Sequence, residues 1–254
     1  MKARGFDDAG AKTVVLIREA AILLSSTFPG SFSLYGGANL ILFHDSARTS
    51  RDLDLIPKAL DCPSVDEVIK VLSVELQELA GLLGYAPLTV EIVHSRTMPC
   101  KLELFSGEGA TLFTIDMGGL GAVAASGIEE HSLEAVSRSA TAAVQVVSKN
   151  HLLLQKAEAF VGRARVKARD AYDINLLLGA GAVLAAELED GLADSLAMRE
   201  LDGEDLAALI ATIDAKKCAA ELQSVLPVEI YRPLEAVGFE PLRASLRTLF
   251  RKWL

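Results

Sequence analysis

Residues 32–57 read FSLYGGANLILFHDSARTSRDLDLIP, and this stretch carries the strongest fold signal of the chain. The apolar run Phe32–Tyr35 ends at two glycines, and Ala38–Phe43 has the apolar content and length of a short helix. Asp52–Ile56 alternates carboxylate and aliphatic side chains, which is the two-residue period of a β-strand, and Pro57 stops that strand. The stretch therefore predicts a strand, a glycine turn, a helix and a second strand, in that order.

The second predicted strand carries two acids on one face. Asp52 and Asp54 point to one side of the strand, whereas Leu53 and Leu55 point to the other side and into the core. Neighbouring carboxylates repel each other unless a cation lies between them, and hard oxygen ligands suit Mg²⁺ that carries substrate phosphates. The pattern predicts a magnesium and nucleotide site, and the alternative is an ordinary exposed strand face.

The residues before these acids offer groups that could bind phosphate. Gly36 and Gly37 would let the backbone approach a phosphate closely, and the N–H groups at the start of the following helix favour an anion. The alternative is that the two glycines form only a tight turn. Arg48 could contact a triphosphate and Ser50 could bond a phosphate or cap the turn, while a purely structural role is equally open for both residues.

The rest of the chain divides into a mixed front half and a helical back half. Periodicity predicts helices over Ala11–Thr27 and Val65–Leu83, and strands over Leu88–Val93, Lys101–Phe105, Thr111–Met117 and Ala143–Val147. The turn-like residues 106–109 favour an antiparallel meander, and from about His151 onward nearly every segment has helical periodicity. The predicted class is α+β, with one domain over residues 1–150 and a helical domain over residues 151–254.

Composition and charge argue against several classes of protein. The formal net charge of -9 argues against a protein that coats nucleic acid with its whole surface, because phosphate neutralisation needs clustered Lys and Arg. Neither the three cysteines nor the four histidines have the spacing of a disulfide framework, a zinc site or a hydrolase triad. No apolar stretch reaches the roughly 20 residues of a membrane span, and the N-terminus differs from a secretory signal. These features predict a soluble, cytoplasmic protein with no membrane partner.

Two separated motifs resemble the signatures of one known family. Residues 36–55, GGANLILFHDSARTSRDLDL, are similar to the signature GGT-x-L…R-x-S-x-D-[LI]-D-[LF] of the AbiEii-type nucleotidyltransferases. Residues 152–178, LLLQKAEAFVGRARVKARDAYDINLLL, resemble that family's second signature, a helix with K-x-x-A that leads into R-D-x-[YW]-D-[LI]. The resemblance covers about residues 30–180, and the sequence departs from the pattern at Ala38, where threonine is frequent.

The resemblance implies a fold and part of a site. The fold would be a polymerase-β-like nucleotidyltransferase core, a mixed sheet with flanking helices, followed by an α-helical C-terminal region. In that family the glycine turn, here Gly36 and Gly37, cradles a nucleoside triphosphate, and the paired acids, here Asp52 and Asp54, bind two Mg²⁺ ions.

Further site residues are expected from other elements. A third metal-binding carboxylate usually comes from a neighbouring strand, and Asp116, which ends an apolar strand, is the best candidate; the alternative is that Asp116 caps the Gly118-Gly119 turn. By resemblance Lys156 reaches the triphosphate, although it could be an ordinary solvated lysine. Asp170 is expected to act in the site, and Asp173 to provide structural support.

The helical half also carries a basic run in an otherwise acidic chain. Its members are Lys156, Arg163, Arg165, Lys167 and Arg169. Such a run is usually a solvated face, but beside an active site it could guide an RNA strand through phosphate contacts.

The resemblance implies an enzyme that transfers a nucleoside monophosphate from a triphosphate to an acceptor hydroxyl on tRNA or on a protein. Such an enzyme would be the toxin of a toxin–antitoxin or abortive-infection system, with an antitoxin as partner. Two alternatives stay open: a module that binds nucleotide without turnover, and a transferase that acts on a small molecule with an aminoglycoside-like hydroxyl.

Overall fold

The computed structural model describes residues 5, 7–58, 62–118, 125–136 and 140–254. The described residues form two compact units. The first contains residues 7–45 and 49–147, and the second contains residues 5, 46–48 and 148–254, each within the described ranges. In this part of the chain no helix combines the length and the apolar character needed to cross a membrane.

A mixed sheet organises the first unit. Its seven described strands are β1 (Phe32–Tyr35), β2 (Asp52–Pro57), β3 (Thr89–His94), β4 (Cys100–Phe105), β5 (Thr111–Met117), β6 (Ile128–Glu134) and β7 (Thr141–Val147). Their order across the sheet is β3-β4-β5-β2-β1-β7-β6. The pairs β2–β5 and β1–β7 are parallel, and the other neighbouring pairs are antiparallel.

Helices supply the rest of the first unit. They are α1 (Asp8–Thr27), α2 (Gly36–Phe43), α3 (Val65–Glu75) and α4 (Gln77–Leu82). A single apolar cluster includes Leu16 and Leu24 of α1, Leu72 of α3, and Leu53 and Ile115 of the central strands. Because neighbouring strand residues point to opposite faces, burial of the aliphatic residues on this side leaves the acids of β2 on the other side.

Most elements of the first unit agree with the sequence predictions. The mixed sheet with flanking helices is confirmed, and β3, β4 and β5 form the predicted antiparallel meander. The prediction of one helix over Val65–Leu83 was wrong, because the chain leaves the helix at Leu76. At this break Leu76 has φ −90° and ψ −5°, and the side-chain amide of Gln77 donates to the carbonyl oxygens of Ser73 and Leu88 at 3.0 and 2.6 Å.

One strand of the first unit was missed by the sequence analysis. β6 reads IEEHSLE, and only its residue Leu133 is buried. The strand lies at an edge and pairs with β7 alone. It therefore lacks the alternation of apolar and polar residues by which a half-buried strand is recognised.

The described part of the second unit is helical apart from its turns and connecting segments. Its helices are α5 (Lys149–Gly162), α6 (Ala168–Gly179), α7 (Ala186–Ala197), α8 (Gly203–Ala211), α9 (Ala215–Leu222), α10 (Val228–Ala236) and α11 (Glu240–Phe250). The rings of Phe160 and Phe250 pack with centroids 5.9 Å apart, and both side chains are fully buried. The predicted α-helical C-terminal region is therefore confirmed.

Candidate functional site

The acids of β2 lie on the partly exposed side of the sheet. Along this strand Leu53 and Leu55 are buried, whereas Asp52 and Asp54 are of intermediate exposure. The alternation read from the sequence is therefore present in the folded strand.

The strand register brings the third predicted acid next to this pair. In the parallel pairing of β2 with β5, Asp54 lies opposite Asp116. Each of these strands has a second neighbour in the sheet. Tyr35 of β1 lies opposite Asp54 of β2, and Lys101 of β4 lies opposite Asp116 of β5. Because residues opposite each other in a sheet share a face, one transverse row contains Tyr35, Asp54, Asp116 and Lys101.

A hydroxyl group engages the other acid of β2. Thr114 lies opposite Asp52 in the same parallel pairing, and its Oγ1 donates a hydrogen bond of 2.8 Å to Asp52 Oδ1. The Asp52 N–H donates to the hydroxyl of Ser50 at 3.4 Å. This contact favours the turn-capping role that was open for Ser50.

The charge of the facing acids acts on neighbouring side chains. Burial, then Asp54, then Asp116 raise the pKa of the Tyr35 phenol well above its usual range. Burial and, to a lesser degree, Asp116 raise the pKa of the Cys100 thiol to about 11. Tyr35 therefore keeps its proton at neutral pH and can act only as a neutral hydrogen-bond donor or acceptor beside the two carboxylates.

The glycine turn is in direct contact with one of the acids. Gly36 has a φ of +67°, and a Cβ built on it would lie 2.0 Å from Asp54 Oδ2. The helix that starts here is fixed by Asn39, whose Nδ2 donates to the carbonyl oxygens of Leu34 and Val147 at 3.1 and 2.8 Å. The turn, the helix start and Asp54 thus form one local structure.

The chemistry of this acidic face fits a hard divalent cation. Asp52, Asp54 and Asp116 offer only carboxylate oxygens, which suit Mg²⁺ better than they suit softer metals. Within the described ranges, however, no three His, Cys, Asp or Glu side chains are gathered closely enough to hold an ion. Joint coordination of an ion by all three acids and the binding of two ions stay predictions.

The second unit contains a different arrangement, a buried ion network. Asp173 is fully buried, and its Oδ1 accepts a hydrogen bond from Arg48 Nε at 2.9 Å. Its Oδ2 accepts from Arg48 Nη2 at 3.0 Å and lies 2.8 Å from Lys156 Nζ. The neighbouring acid Asp170 pairs with Arg163 at 2.8 Å and lies 4.0 Å from Lys156. One helical turn of α6 thus holds three cationic side chains.

Protonation in this network follows the charges. Burial opposes ionisation of Asp173, but Arg48 and Lys156 outweigh that effect, and the pKa of Asp173 is lowered. Burial acts against the charged form of Arg48 in the same way, and Asp173 outweighs it, so that the pKa of Arg48 is raised. Asp173 and Arg48 are therefore both charged at neutral pH.

These contacts bear on the predicted roles of the network residues. The Arg48 side chain is only 6% exposed and is bound to Asp173, which favours its structural alternative over triphosphate contact. Lys156 lies nearer to Asp173 than to Asp170, and its side chain is 14% exposed, so it is not a solvated lysine. The expected role of Asp170 in the site stays a prediction.

The basic run is only partly neutralised. Arg163 pairs with Asp170, while Arg165, Lys167 and Arg169 have no ion pair with any residue that the structure describes. Arg165 is exposed. The phosphate-guiding role of this run stays a prediction.

Several residues on or beside the acidic face were not predicted from the sequence, Lys101 among them. Tyr35 and Thr114 lie opposite the acids of β2, and Asn39 fixes the helix start. No local pattern points to Tyr35 or Thr114, because their positions depend on pairing between strands that are distant in sequence. Asn39 could have been noticed as a polar residue in the otherwise apolar segment ANLILF.

Comparison with solved structures places this architecture in a class. The chain is similar to the crystal structure of a candidate nucleotidyltransferase from H. pylori, with 14% identity, a TM-score of 0.54 and coverage of 93% of each chain. It is also similar to JHP933 from Helicobacter pylori, with 14% identity, a TM-score of 0.52 and coverage of 93% of this chain and 90% of that one. The fold is therefore that of a nucleotidyltransferase.

The family follows from the sequence. The family model described as nucleotidyl transferase AbiEii toxin, type IV toxin–antitoxin system, matches residues 20–241. This chain belongs to that family. The match extends on both sides of the two motifs, and it confirms the resemblance from which site residues were predicted. No curated protein sequence matches the chain significantly.

Proposed function

We propose that this protein transfers a nucleoside monophosphate from a nucleoside triphosphate to an acceptor hydroxyl, and that it is the toxin partner of an antitoxin. The observation that carries the proposal is the pairing of Asp54 with Asp116 across β2 and β5, beside the turn at Gly36. Family membership supports the reaction class. The acceptor we favour is the 3′ end of a tRNA or a protein side chain.

The reaction balances as a displacement at the α-phosphorus. The acceptor oxygen forms a bond to this atom while its bond to the bridging oxygen of the β-phosphate breaks, and pyrophosphate and the hydroxyl proton leave. Asp52, Asp54 and Asp116 would hold Mg²⁺, which when bound neutralises phosphate charge and acidifies the attacking hydroxyl. Backbone N–H groups at Gly36 and Gly37 would orient the triphosphate at the start of α2.

Other residues enter the proposal through the family resemblance. Lys156 would stabilise negative charge on the triphosphate as a point charge. The contact of Lys156 with Asp173 supports a fixed position of the Lys156 side chain. Asp170 would act with Lys156.

A second candidate function has one observation in its favour. Asp52 Oδ1, one of the proposed metal-binding oxygens, accepts a hydrogen bond from Thr114 Oγ1 at 2.8 Å. This arrangement would suit a module that binds nucleotide and a partner without turnover. Release of pyrophosphate separates the two functions, because only the transferase produces it.

The test is incubation of the protein and Mg²⁺ with each α-labelled triphosphate and total tRNA, followed by a gel that separates RNA from protein. We expect label on one of these two classes, and loss of at least roughly 10²-fold in rate for Asp54→Ala, since electrostatic stabilisation of the reaction is removed. Glu130→Ala, which removes an exposed acid of edge strand β6, is the matched control and should keep the rate. Equal rates for Asp54→Ala and the parent would refute the proposal.

A growth experiment tests the toxin role. Induced expression of the parent chain should arrest its bacterial host, whereas Asp54→Ala at equal protein level should not. Arrest by both proteins would show that toxicity does not depend on the acidic face.

A further inference from the structure

Gly36 has two unusual properties at once. Its φ of +67° lies in the left-handed region that residues with a side chain rarely adopt. In addition, a Cβ on Gly36 would lie 2.0 Å from Asp54 Oδ2, 2.9 Å from Asp54 Cγ and 3.2 Å from Asp54 Cβ. The 2.0 Å distance is far shorter than any van der Waals contact, the 2.9 Å distance is also too short for a Cβ, and the 3.2 Å distance is a tight contact.

Backbone conformation alone does not account for this position. Gly109, in the turn between β4 and β5, has a similar φ of +78°, but a Cβ there would meet no described atom within 4 Å. Gly109 therefore needs only its backbone freedom. Gly36 needs that backbone freedom, and it must also lack a side chain, because the Asp54 carboxylate occupies the space where a Cβ would lie.

We infer that Gly36 is a positioning residue for Asp54, because the absence of its side chain leaves the space in which the carboxylate of Asp54 lies. This inference rests on the proposed function, in which Asp54 binds Mg²⁺. Any larger residue at position 36 would push the carboxylate away from the turn. Tyr35 and Asp116 lie opposite Asp54 on the two adjacent strands, so a carboxylate that moves along the row moves toward one of these residues.

This role differs from that of a glycine that only lets phosphate approach. A residue that serves phosphate approach alone affects nucleotide affinity and leaves metal binding by the free protein unchanged. A residue that positions Asp54 affects metal binding even when no nucleotide is present. The two roles therefore differ in a measurement that needs neither substrate nor turnover.

The first experiment measures Mn²⁺ binding to the full chain without nucleotide, by the electron paramagnetic resonance signal of free Mn²⁺. For Gly36→Ala we expect binding weaker by about tenfold or more, the scale seen when a residue that orients a metal ligand is changed. Gly109→Ala carries the same kind of backbone strain and should stay within about twofold of the parent, since it adds no contact to the acids. Asp54→Ala should lose the site.

A second experiment uses thermal stability in the absence of metal to measure the clash between a side chain at position 36 and Asp54. We expect Gly36→Ala to lower the Tm more than Gly109→Ala does. In an Asp54→Ala background the two atoms closest to the new Cβ are gone, so the extra loss at Gly36 should disappear. If Gly36→Ala alone fails to fold, the double variant of Gly36→Ala with Asp54→Ala should still fold, so the inference can be tested in that case too.

The outcomes separate this inference from the proposed function. If Asp54→Ala loses Mn²⁺ binding while Gly36→Ala and Gly109→Ala bind equally, the metal site stands and the inference is wrong. An extra Tm loss at Gly36 that persists in the Asp54→Ala background also overturns the inference. If Asp54→Ala binds Mn²⁺ as the parent does, the proposed metal site itself fails.

Discussion

Carboxylates occur in two opposite settings in this protein. In the second unit Asp173 is buried and surrounded by cations, with Arg48 and Lys156 both within 3.0 Å. In the first unit Asp116 faces another acid, Asp54, and forms no ion pair with a described residue. Charge satisfied within the fold serves its structure, whereas like charges held together are suited to receive a cation from outside.

The largest expected effect is on the stability of the satisfied network. Asp173→Asn removes the buried carboxylate that both Arg48 and Lys156 contact, and we expect a loss of about 3–5 kcal/mol in the free energy of unfolding. Urea unfolding measures this loss. Asp170→Asn is the matched control and should cost less, since the side chain of its partner Arg163 is 42% exposed and can be solvated. Equal losses for the two variants would contradict a special role for the buried network.

Acid pH should remove the same stabilisation. The pKa of Asp173 is lowered from its ordinary value of 3.8, so the carboxylate stabilises the fold above that value and loses this effect as pH falls through the folded-state pKa. The difference in unfolding free energy between the parent and Asp173→Asn should therefore be constant from neutral pH down to the ordinary value and shrink below it. If the difference in unfolding free energy widens in acid, the pKa of Asp173 is not lowered in the folded protein.

The facing acids should behave in the opposite way. Asp116→Asn should lower the rate of nucleotide transfer by roughly 10²-fold, because a group that stabilises the reacting charges is lost. Its free energy of unfolding should not fall, because the variant removes one of two like charges that face each other. Transfer assays and urea unfolding of the same preparation provide both values, and a large loss of stability would place Asp116 with the structural acids.

The smallest expected effect concerns the bond that holds Asp52. Thr114→Val keeps the shape of the side chain and removes the donor to Asp52 Oδ1, which should cost about 1 kcal/mol of stability. If the bond orients Asp52 for Mg²⁺, the variant should also need more Mg²⁺ for half-maximal transfer. An unchanged Mg²⁺ requirement would limit Thr114 to a structural role.

The two settings also differ in how far the sequence predicts them. The acids of β2 could be assigned to one face because their two-residue spacing is local and the intervening leucines fix the buried side. Asp116 could be proposed only through the resemblance, since its position opposite Asp54 depends on parallel pairing between strands about 60 residues apart, a distance at which local periodicity carries no information. Tyr35 and Thr114 were missed for the same reason.

The buried network shows a second limit of sequence analysis. Asp170 and Asp173 lie one helical turn apart, and this spacing indicates a shared face without showing which acid binds which cation. Arg48 was expected either to contact the triphosphate or to have a structural role, and in the structure residues 46–48 belong to the second unit and Arg48 binds Asp173. A single buried ion pair of this kind leaves no periodic signal in the sequence.

The most direct test of a metal site at Asp54 and Asp116 is the effect of Mg²⁺ on thermal unfolding. The parent is compared with the double variant Asp54→Asn with Asp116→Asn. Mg²⁺ should raise the Tm of the parent, because it binds the folded state where the two carboxylates face each other. The double variant should melt at the same temperature with and without Mg²⁺. An equal rise in both proteins would contradict the claim that these two acids form the metal site.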